Sequence, residues 1–280
     1  MDESPADVMR LKLDIAYDGT DFHGWAKQKG DLRTVQGTLE DALSLVLRAP
    51  VQLTVAGRTD AGVHASHQVA HADIPRAALE QRSLEGDPQR LVRRLAKLLP
   101  EDVRVFGVRE APAGFDARFS ALARRYVYRV TTHPAGALPT RARDTSVWGK
   151  PIDIERAQAA ADAVLGLNDY AAFCKPKEHA TTIRDVHSFT WIEVEPEVYE
   201  AHISADAFCW NMVRALVATC LTVADGRRAL SWVTSLLGAH ERDPQVPLAP
   251  ARGLTLAGVE YPPEAELAAR ANETRARREL

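Results

Sequence analysis

The sequence predicts an α+β protein of two similar halves whose mostly antiparallel sheets are joined. Three observations carry that prediction. Stretches with an apolar residue at every second position alternate with stretches in which apolar residues recur every three or four. The order of these stretches in the first part of the chain returns in outline in the second. Between the two lies Glu110-Ala111-Pro112-Ala113-Gly114, where the periodicity stops and loop residues gather. The expected organisation is a flexible tail at 1–9, a first half at 10–110, a second half at 111–262 and a polar C-terminal tail at 263–280, in which Ala265 to Arg278 suits a helix. At 280 residues, the chain can bury about three quarters of its unfolded surface, enough for two modest cores.

Leu11, Leu13, Ile15 and Tyr17 alternate as in a strand, and Val35, Leu39, Leu43, Val46 and Leu47 then share one face of a helix. Strands follow at 51–56 and 67–73. Asp87 and Pro88 suit the N-cap and first residue of a second helix that ends at Pro100, and 103–108 closes the set as a strand. The second half repeats the order: a strand at 124–131, a helix from Ile154 to Leu165 ended by Gly166, strands at 183–194 and 198–205, and a helix from Asn211 to Ala224.

The most informative segment is Gly57-Arg58-Thr59-Asp60-Ala61-Gly62-Val63-His64, which follows the alternating run at 51–56 and so places Asp60 in a loop at a strand end. Gly57 and Gly62 permit backbone angles closed to other residues or a close approach by a ligand, and Arg58 carries a planar fork of donors that can aim a carboxylate. A free aspartate, with a pKa of about 3.9, is already ionised at neutral pH, so aim is the more useful contribution. On spacing alone the segment reads equally as a surface turn with a local ion pair.

The stretch Ala56 to Asp73, AGRTDAGVHASHQVAHAD, closely resembles the signature of the TruA family of tRNA pseudouridine synthases. The resemblance extends to Tyr17-Asp18-Gly19-Thr20-Asp21-Phe22-His23-Gly24-Trp25, to Phe115-Asp116-Ala117-Arg118-Phe119-Ser120 with Arg124-Arg125-Tyr126, and to Ala207-Phe208 with Met212-Val213-Arg214. In order and spacing these motifs cover roughly residues 11 to 261. The resemblance implies the pseudouridine synthase fold, with ferredoxin-like or RRM-like halves. It also implies a cofactor-free isomerase that converts uridine to pseudouridine at positions 38, 39 and 40 in the anticodon arm of tRNA, working as a homodimer; the cytoplasmic location expected for it comes from the cysteines and the absence of a membrane or signal segment.

The same resemblance assigns roles residue by residue. Asp60 is the nucleophile, Arg58 and Arg214 position it, and Tyr126 stacks on the base extracted from the RNA. Phe115, Asp116, Ala117, Arg118, Phe119, Arg124 and Arg184 are RNA contacts. Periodicity alone would place Tyr126 in the core, because Tyr126, Tyr128 and Val130 share one face of a strand. The chain departs from the family at Ala26, where Gln is common, at Ala96, near which an Asn is expected, and at Cys209-Trp210-Asn211, where a basic or amide-rich run is usual.

A formal charge of -3, from 35 Lys and Arg against 38 Asp and Glu, gives no basic balance, so any RNA surface must come from distribution. Arg90, Arg93, Arg94 and Lys97 form one cluster, Arg118, Arg124, Arg125 and Arg129 a second, and Arg141 with Arg143 a third. Each reads as a solvated face or as part of a basic cleft. Cys174, Cys209 and Cys220 lack metal-ligand spacing and read as reduced thiols of a cytosolic protein. No apolar run approaches the roughly 20 residues of a membrane span, and Met1-Asp2-Glu3-Ser4 lacks the basic start of a signal peptide. A rival reading takes His64, His67 and His71, spaced by three and four, as ligands of a metal-assisted hydrolase. The alternation over Gln68 to Asp73 favours a strand, which would spread the imidazoles, so no metal is expected. A second rival is an RNA-binding module without turnover, against which the intact Asp60 argues.

Overall fold

A computed structural model describes residues 7–176 and 181–276. The chain divides into two compact units, one of residues 1–122 with 259–280 and one of residues 123–258. Both are α+β with mostly antiparallel strands, as the sequence predicts.

The first unit runs β1 (Val8–Tyr17), α1 (Val35–Leu47), β2 (Thr54–Val55), β3 (His64–Pro75), α2 (Arg90–Leu95) and β4 (Val103–Glu110). The strand order is β4-β1-β3-β2, which with the two helices is the ferredoxin-like βαββαβ arrangement. Alternation is real in β1, where Met9, Leu11, Leu13, Ile15 and Tyr17 are buried. Helix α1 meets that core with Val35, Leu39, Leu43, Val46 and Leu47. It starts at Thr34, whose side chain accepts from the Gly37 amide at 3.2 Å, and it stops where Arg48 turns left-handed at φ 55°.

Several expected bounds move. Only Thr54 and Val55 of 51–56 pair as a strand, whereas β3 starts at His64 and so takes in the end of the Asp60 motif. Helix α2 begins at Arg90, because the Asp87 side chain accepts from the Gln89 amide at 2.9 Å in a turn ahead of it. Val8 and Met9, expected in a tail, open β1; residues 1–6 of that tail lie outside the described residues.

The division between the units falls at 122–123 and not at 110–111, for a physical reason. The loop after β4 stays with the first unit: Arg10 donates to the Phe115 carbonyl at 2.7 Å, and the Ala117 amide donates to His71 Nδ1 at 3.0 Å. The C-terminal segment returns to the same loop. Tyr261 donates to the Ala117 carbonyl at 2.7 Å, and Arg275 to the Asp116 carboxylate at 2.9 Å. The segment carries helix α6 (Leu267–Ala276), with Leu267 and Ala271 buried, so it is not a polar tail; residues 277 and 278 of the helix expected there lie outside the described residues.

The second unit contains β5 (Ala123–Thr131), β6 (Ser146–Val147), α3 (Ile154–Asp162), β7 (Gly166–Asp169), β8 (Ile183–Glu195), β9 (Val198–Ala205), α4 (Met212–Ala224), α5 (Leu230–Leu237) and most of β10 (Leu254–Glu260). The order β10-β5-β9-β8 repeats that of the first unit, with β7 added beyond β8 and the two-residue β6 alongside β5. Helix α3 starts at Asp153, which accepts from the Glu155 and Arg156 amides, and ends at Asp162 rather than Leu165. Gly166, at φ 85°, opens β7 instead of capping the helix.

The expectation of three reduced thiols is corrected. Cys174 and Cys209 are joined in a disulfide across 35 residues, with Cα atoms 5.8 Å apart, and Cys220 alone is free and buried. Such bonds are rare in the cytosol, so cysteine usage no longer supports that compartment. Among the described residues, no helix is long and apolar enough to cross a membrane.

Candidate active site

In the first unit, the segment around Asp60 is a loop between β2 and β3, and the backbone on both sides of it is fixed. The Thr59 carbonyl accepts from the Trp25 amide at 3.0 Å, and the Val63 amide closes a turn on the Asp60 carbonyl at 3.2 Å. Phe22 contributes its carbonyl to the Gly62 amide at 3.3 Å. Beneath the loop, Tyr17 and Thr59 share a hydrogen bond of 2.8 Å, and Gln68 donates to the Gly57 carbonyl at 2.8 Å and to the Tyr17 hydroxyl at 3.4 Å. Tyr17, Thr59 and Gln68 are all buried, so these bonds compensate for the hydrogen bonds to water that burial removes. Burial pushes the Tyr17 hydroxyl up to about 12, further above neutral pH than an ordinary phenol.

Two glycines of the Tyr17–Trp25 segment make this approach possible. A Cβ on Gly19 would lie 2.0 Å from the Val63 carbonyl oxygen, and one on Gly24, at φ 92°, would lie 2.9 Å from the Thr59 carbonyl oxygen. The Gly19 amide also donates to His64 Nδ1 at 3.1 Å. Tyr17, Gly19, Gly24 and Gln68 therefore position the Asp60 loop, a role that sequence reasoning did not assign to them. For Tyr17, Gly19 and Gly24 the signal was a motif distant in sequence, and for Gln68 a place in the Ala56 to Asp73 stretch itself.

Asp60 is half-buried. Arg58 does not hold it. That side chain is exposed and has no hydrogen-bond or ion-pair partner among the described residues, whereas its neighbour Thr59 is buried. The expected fork from Arg58 to the Asp60 carboxylate is thus corrected.

The Phe115–Phe119 segment divides in the same way. Phe115, Asp116 and Ala117 are buried and shape the loop, whereas Arg118 is exposed and Phe119 half-buried. One Asp116 carboxylate oxygen accepts from the Arg118 and Phe119 amides, each at 2.9 Å, and the other accepts from Arg275. The Phe115 ring lies tilted at 53° to that of Tyr261, centroids 5.1 Å apart, with the Lys12 ammonium 5.1 Å from its ring centre. Of the RNA contacts expected in this segment, Arg118 and Phe119 face outward; Phe115, Asp116 and Ala117 do not.

His64, His67 and His71 do not converge. His64 and His71 use Nδ1 to accept backbone amides of two different loops, while His67 is exposed, 3.6 Å from the Asp14 carboxylate. Among the described residues no cluster of three His, Cys, Asp or Glu side chains is placed to hold a metal.

In the second unit, Tyr126 lies on β5 with its ring edge-on to Phe208, centroids 5.2 Å apart at 88°. It is only 8% exposed. Arg124 donates to the Asp206 carbonyl at 2.8 Å, and Arg184 to the carbonyls of Ile183 and Thr181. Arg214 is the exception in its helix: every other residue of α4 is buried. Its Nε donates to the Ala249 carbonyl at 2.7 Å, and the Ala249 amide returns a bond to the Arg214 carbonyl at 3.2 Å. Among the other expected basic residues, Arg129 is buried between Glu195 and Glu200, and Arg141 pairs with Asp144 at 2.7 Å. Neither adds to a basic surface.

A protein of Corynebacterium glutamicum named tRNA pseudouridine synthase A is 64% identical to this chain over 277 residues, covering 97% of this chain and 96% of that one. This chain belongs to the tRNA pseudouridine synthase A family. A Mycobacterium leprae protein of the same name is 50% identical over 273 residues, 95% of this chain and 94% of its own length. The family model described as tRNA pseudouridine synthase matches residues 160–262. That span includes Arg184, Phe208 and Arg214, so the half-exposed arginine of an otherwise buried helix lies within the part of the synthase that the model recognises. The motifs around Asp60 and Tyr126 precede it and are covered by the full-length relatives.

Proposed function

We propose that this pseudouridine synthase isomerises uridine to pseudouridine at positions 38, 39 and 40 in the anticodon stem-loop of tRNA, with Asp60 as nucleophile. The observation that carries the reading is the fixed loop: backbone bonds at Thr59 and Val63 flank Asp60 and hold its carboxylate bearer still while leaving it half exposed. Fixing the loop before the substrate arrives removes an ordering cost from the chemical step.

The reaction breaks the bond between ribose C1′ and uracil N1, turns the base while it is held, and joins C1′ to C5; C5 gives up its proton and N1 takes one up, so the product is an isomer. Atoms are rearranged and none is gained, so neither redox cofactor nor group donor is called for. A carboxylate divides this into two steps, by attack on the sugar or base or by taking a sugar proton. The target base must leave its stack, at a cost of a few kcal/mol. Stacking on an aromatic ring recovers about 1 to 3 kcal/mol per base, and Tyr126 is the ring we assign to it. Arg214 is assigned the positioning of Asp60. Arg118, Phe119, Arg124 and Arg184 are assigned contacts to RNA; Arg58, exposed and without a partner among the described residues, suits an RNA phosphate better than the carboxylate. Phe115, Asp116 and Ala117 serve by shaping the loop that presents Arg118.

A symmetric homodimer and a cytoplasmic location complete the proposal, the first by family resemblance and the second from the tRNA substrate. The test is pseudouridine mapping on an unmodified tRNA transcript carrying uridines at 38, 39 and 40, in EDTA. Conversion confined to those positions is the expected result. Conversion elsewhere, or none despite binding, would defeat the assignment of the anticodon arm.

A further inference from the structure

Arg90, Arg93, Arg94 and Lys97 stand at intervals of three and four, so they form one stripe along α2 and the turn that continues it. Leu91 and Leu95, fully buried on the other face, fix the direction of that stripe. Arg48, at the end of α1, and Arg82, in the turn before α2, extend it. The six cations border two recesses of the first unit, of about 460 and 640 Å³, which meet at Ser83 and Arg94. No acidic residue lines either recess, and no residue of the Asp60 loop does.

Charge pairing separates this stripe from Arg129 and Arg141, which are held by Glu195 and Glu200 and by Asp144. Arg90 pairs with Glu85 at 2.8 Å, but Arg48, Arg82, Arg93, Arg94 and Lys97 form no ion pair among the described residues. All six are exposed. In a chain of formal charge -3, a stripe in which only Arg90 is paired repels itself and gains from a run of anions laid along it. The seven-residue interval from Arg90 to Lys97 spans about 10 Å of helix, longer than a single phosphate group. Leu45, 67% exposed, and Leu98, 47% exposed, border Arg48 and Arg94 and offer apolar contact to sugar edges.

We propose that this surface is a second RNA-docking site that grips the sugar-phosphate backbone of tRNA outside the anticodon arm. The proposal rests on the tRNA reading above. It assigns the stripe to affinity for the body of the substrate, while the Asp60 loop acts on the target nucleotide.

The test compares wild type with Arg93→Glu/Arg94→Glu/Lys97→Glu and with the milder Arg93→Gln/Arg94→Gln/Lys97→Gln, on a full-length tRNA transcript and on its isolated anticodon stem-loop. Binding is measured beside turnover, and thermal melts confirm that both variants fold. For the full-length transcript, the Glu variant should raise KM and Kd by about tenfold or more and reduce the slope of log affinity against log salt by about 3. Turnover at saturation and all constants for the stem-loop should stay at wild-type values, with the Gln variant intermediate. Unchanged full-length binding and salt slope would overturn the proposal, as would equal losses on the two RNAs. An inactive wild type would defeat the functional reading instead, while loss of full-length binding in the variants would still support the surface.

Discussion

At Gly24 the backbone adopts φ 92°, and a Cβ would lie 2.9 Å from the Thr59 carbonyl oxygen and 3.2 Å from the Ala61 amide nitrogen, on either side of Asp60. Gly24→Ala must therefore strain its own backbone or push the loop away, at a cost of about 1 to 3 kcal/mol. Denaturant unfolding should show that loss together with a fall in kcat; full activity would mean that the loop tolerates displacement. His71 offers a separate test. Burial, and next the Arg10 guanidinium, hold its pKa below the ordinary value. Between the folded pKa and the unfolded one near 6.5, the unfolded chain binds more protons, so stability falls as pH drops through that window. His71→Asn keeps an acceptor for the Ala117 amide and removes the titration, so its stability should vary less with pH below about 6.5 than that of wild type. At this scale the sequence announced Asp60 through its glycines, but Arg58 misled because adjacency says nothing of direction. Phe115, Asp116 and Ala117 look the same in a motif whether they face RNA or the core.

Helix α4 was legible because its apolar character is continuous, and the same continuity makes Arg214 conspicuous once burial is known. Arg214→Ala should lose about 1 kcal/mol with the Ala249 hydrogen bond. If Arg214 positions Asp60, kcat should also fall by about a hundredfold. Unchanged kcat would reduce it to a tie for the Ala249 segment. Elements with weaker patterns escaped the reading. Strand β10 has only a short alternation and carries Gly258, against which the Arg125 guanidinium lies. Strand β7 has four residues, and α5 has a short run of Leu, Val and Trp in which no period is fixed. The Cys174–Cys209 bond joins residues 35 apart and depends on tertiary approach, which spacing cannot supply.

Across the whole molecule, the doubled order of elements was readable and the ownership of the chain's end was not. Charges dominate residues 263–280, yet Leu267 is 2% exposed and its carbonyl accepts from Ser120 at 3.1 Å, so the segment returns to the first unit. Leu267→Ala should destabilise that unit by about 2 to 4 kcal/mol, measured by denaturant unfolding; a neutral result would restore the view of this end as a dispensable tail. The central claim is that a carboxylate held on a fixed loop carries out the isomerisation. Single-turnover pseudouridine formation by Asp60→Ala, beside wild type on one tRNA transcript and with binding followed in parallel, tests it most directly. The account predicts no conversion by the variant with tRNA binding retained, and conversion by Asp60→Ala would contradict it.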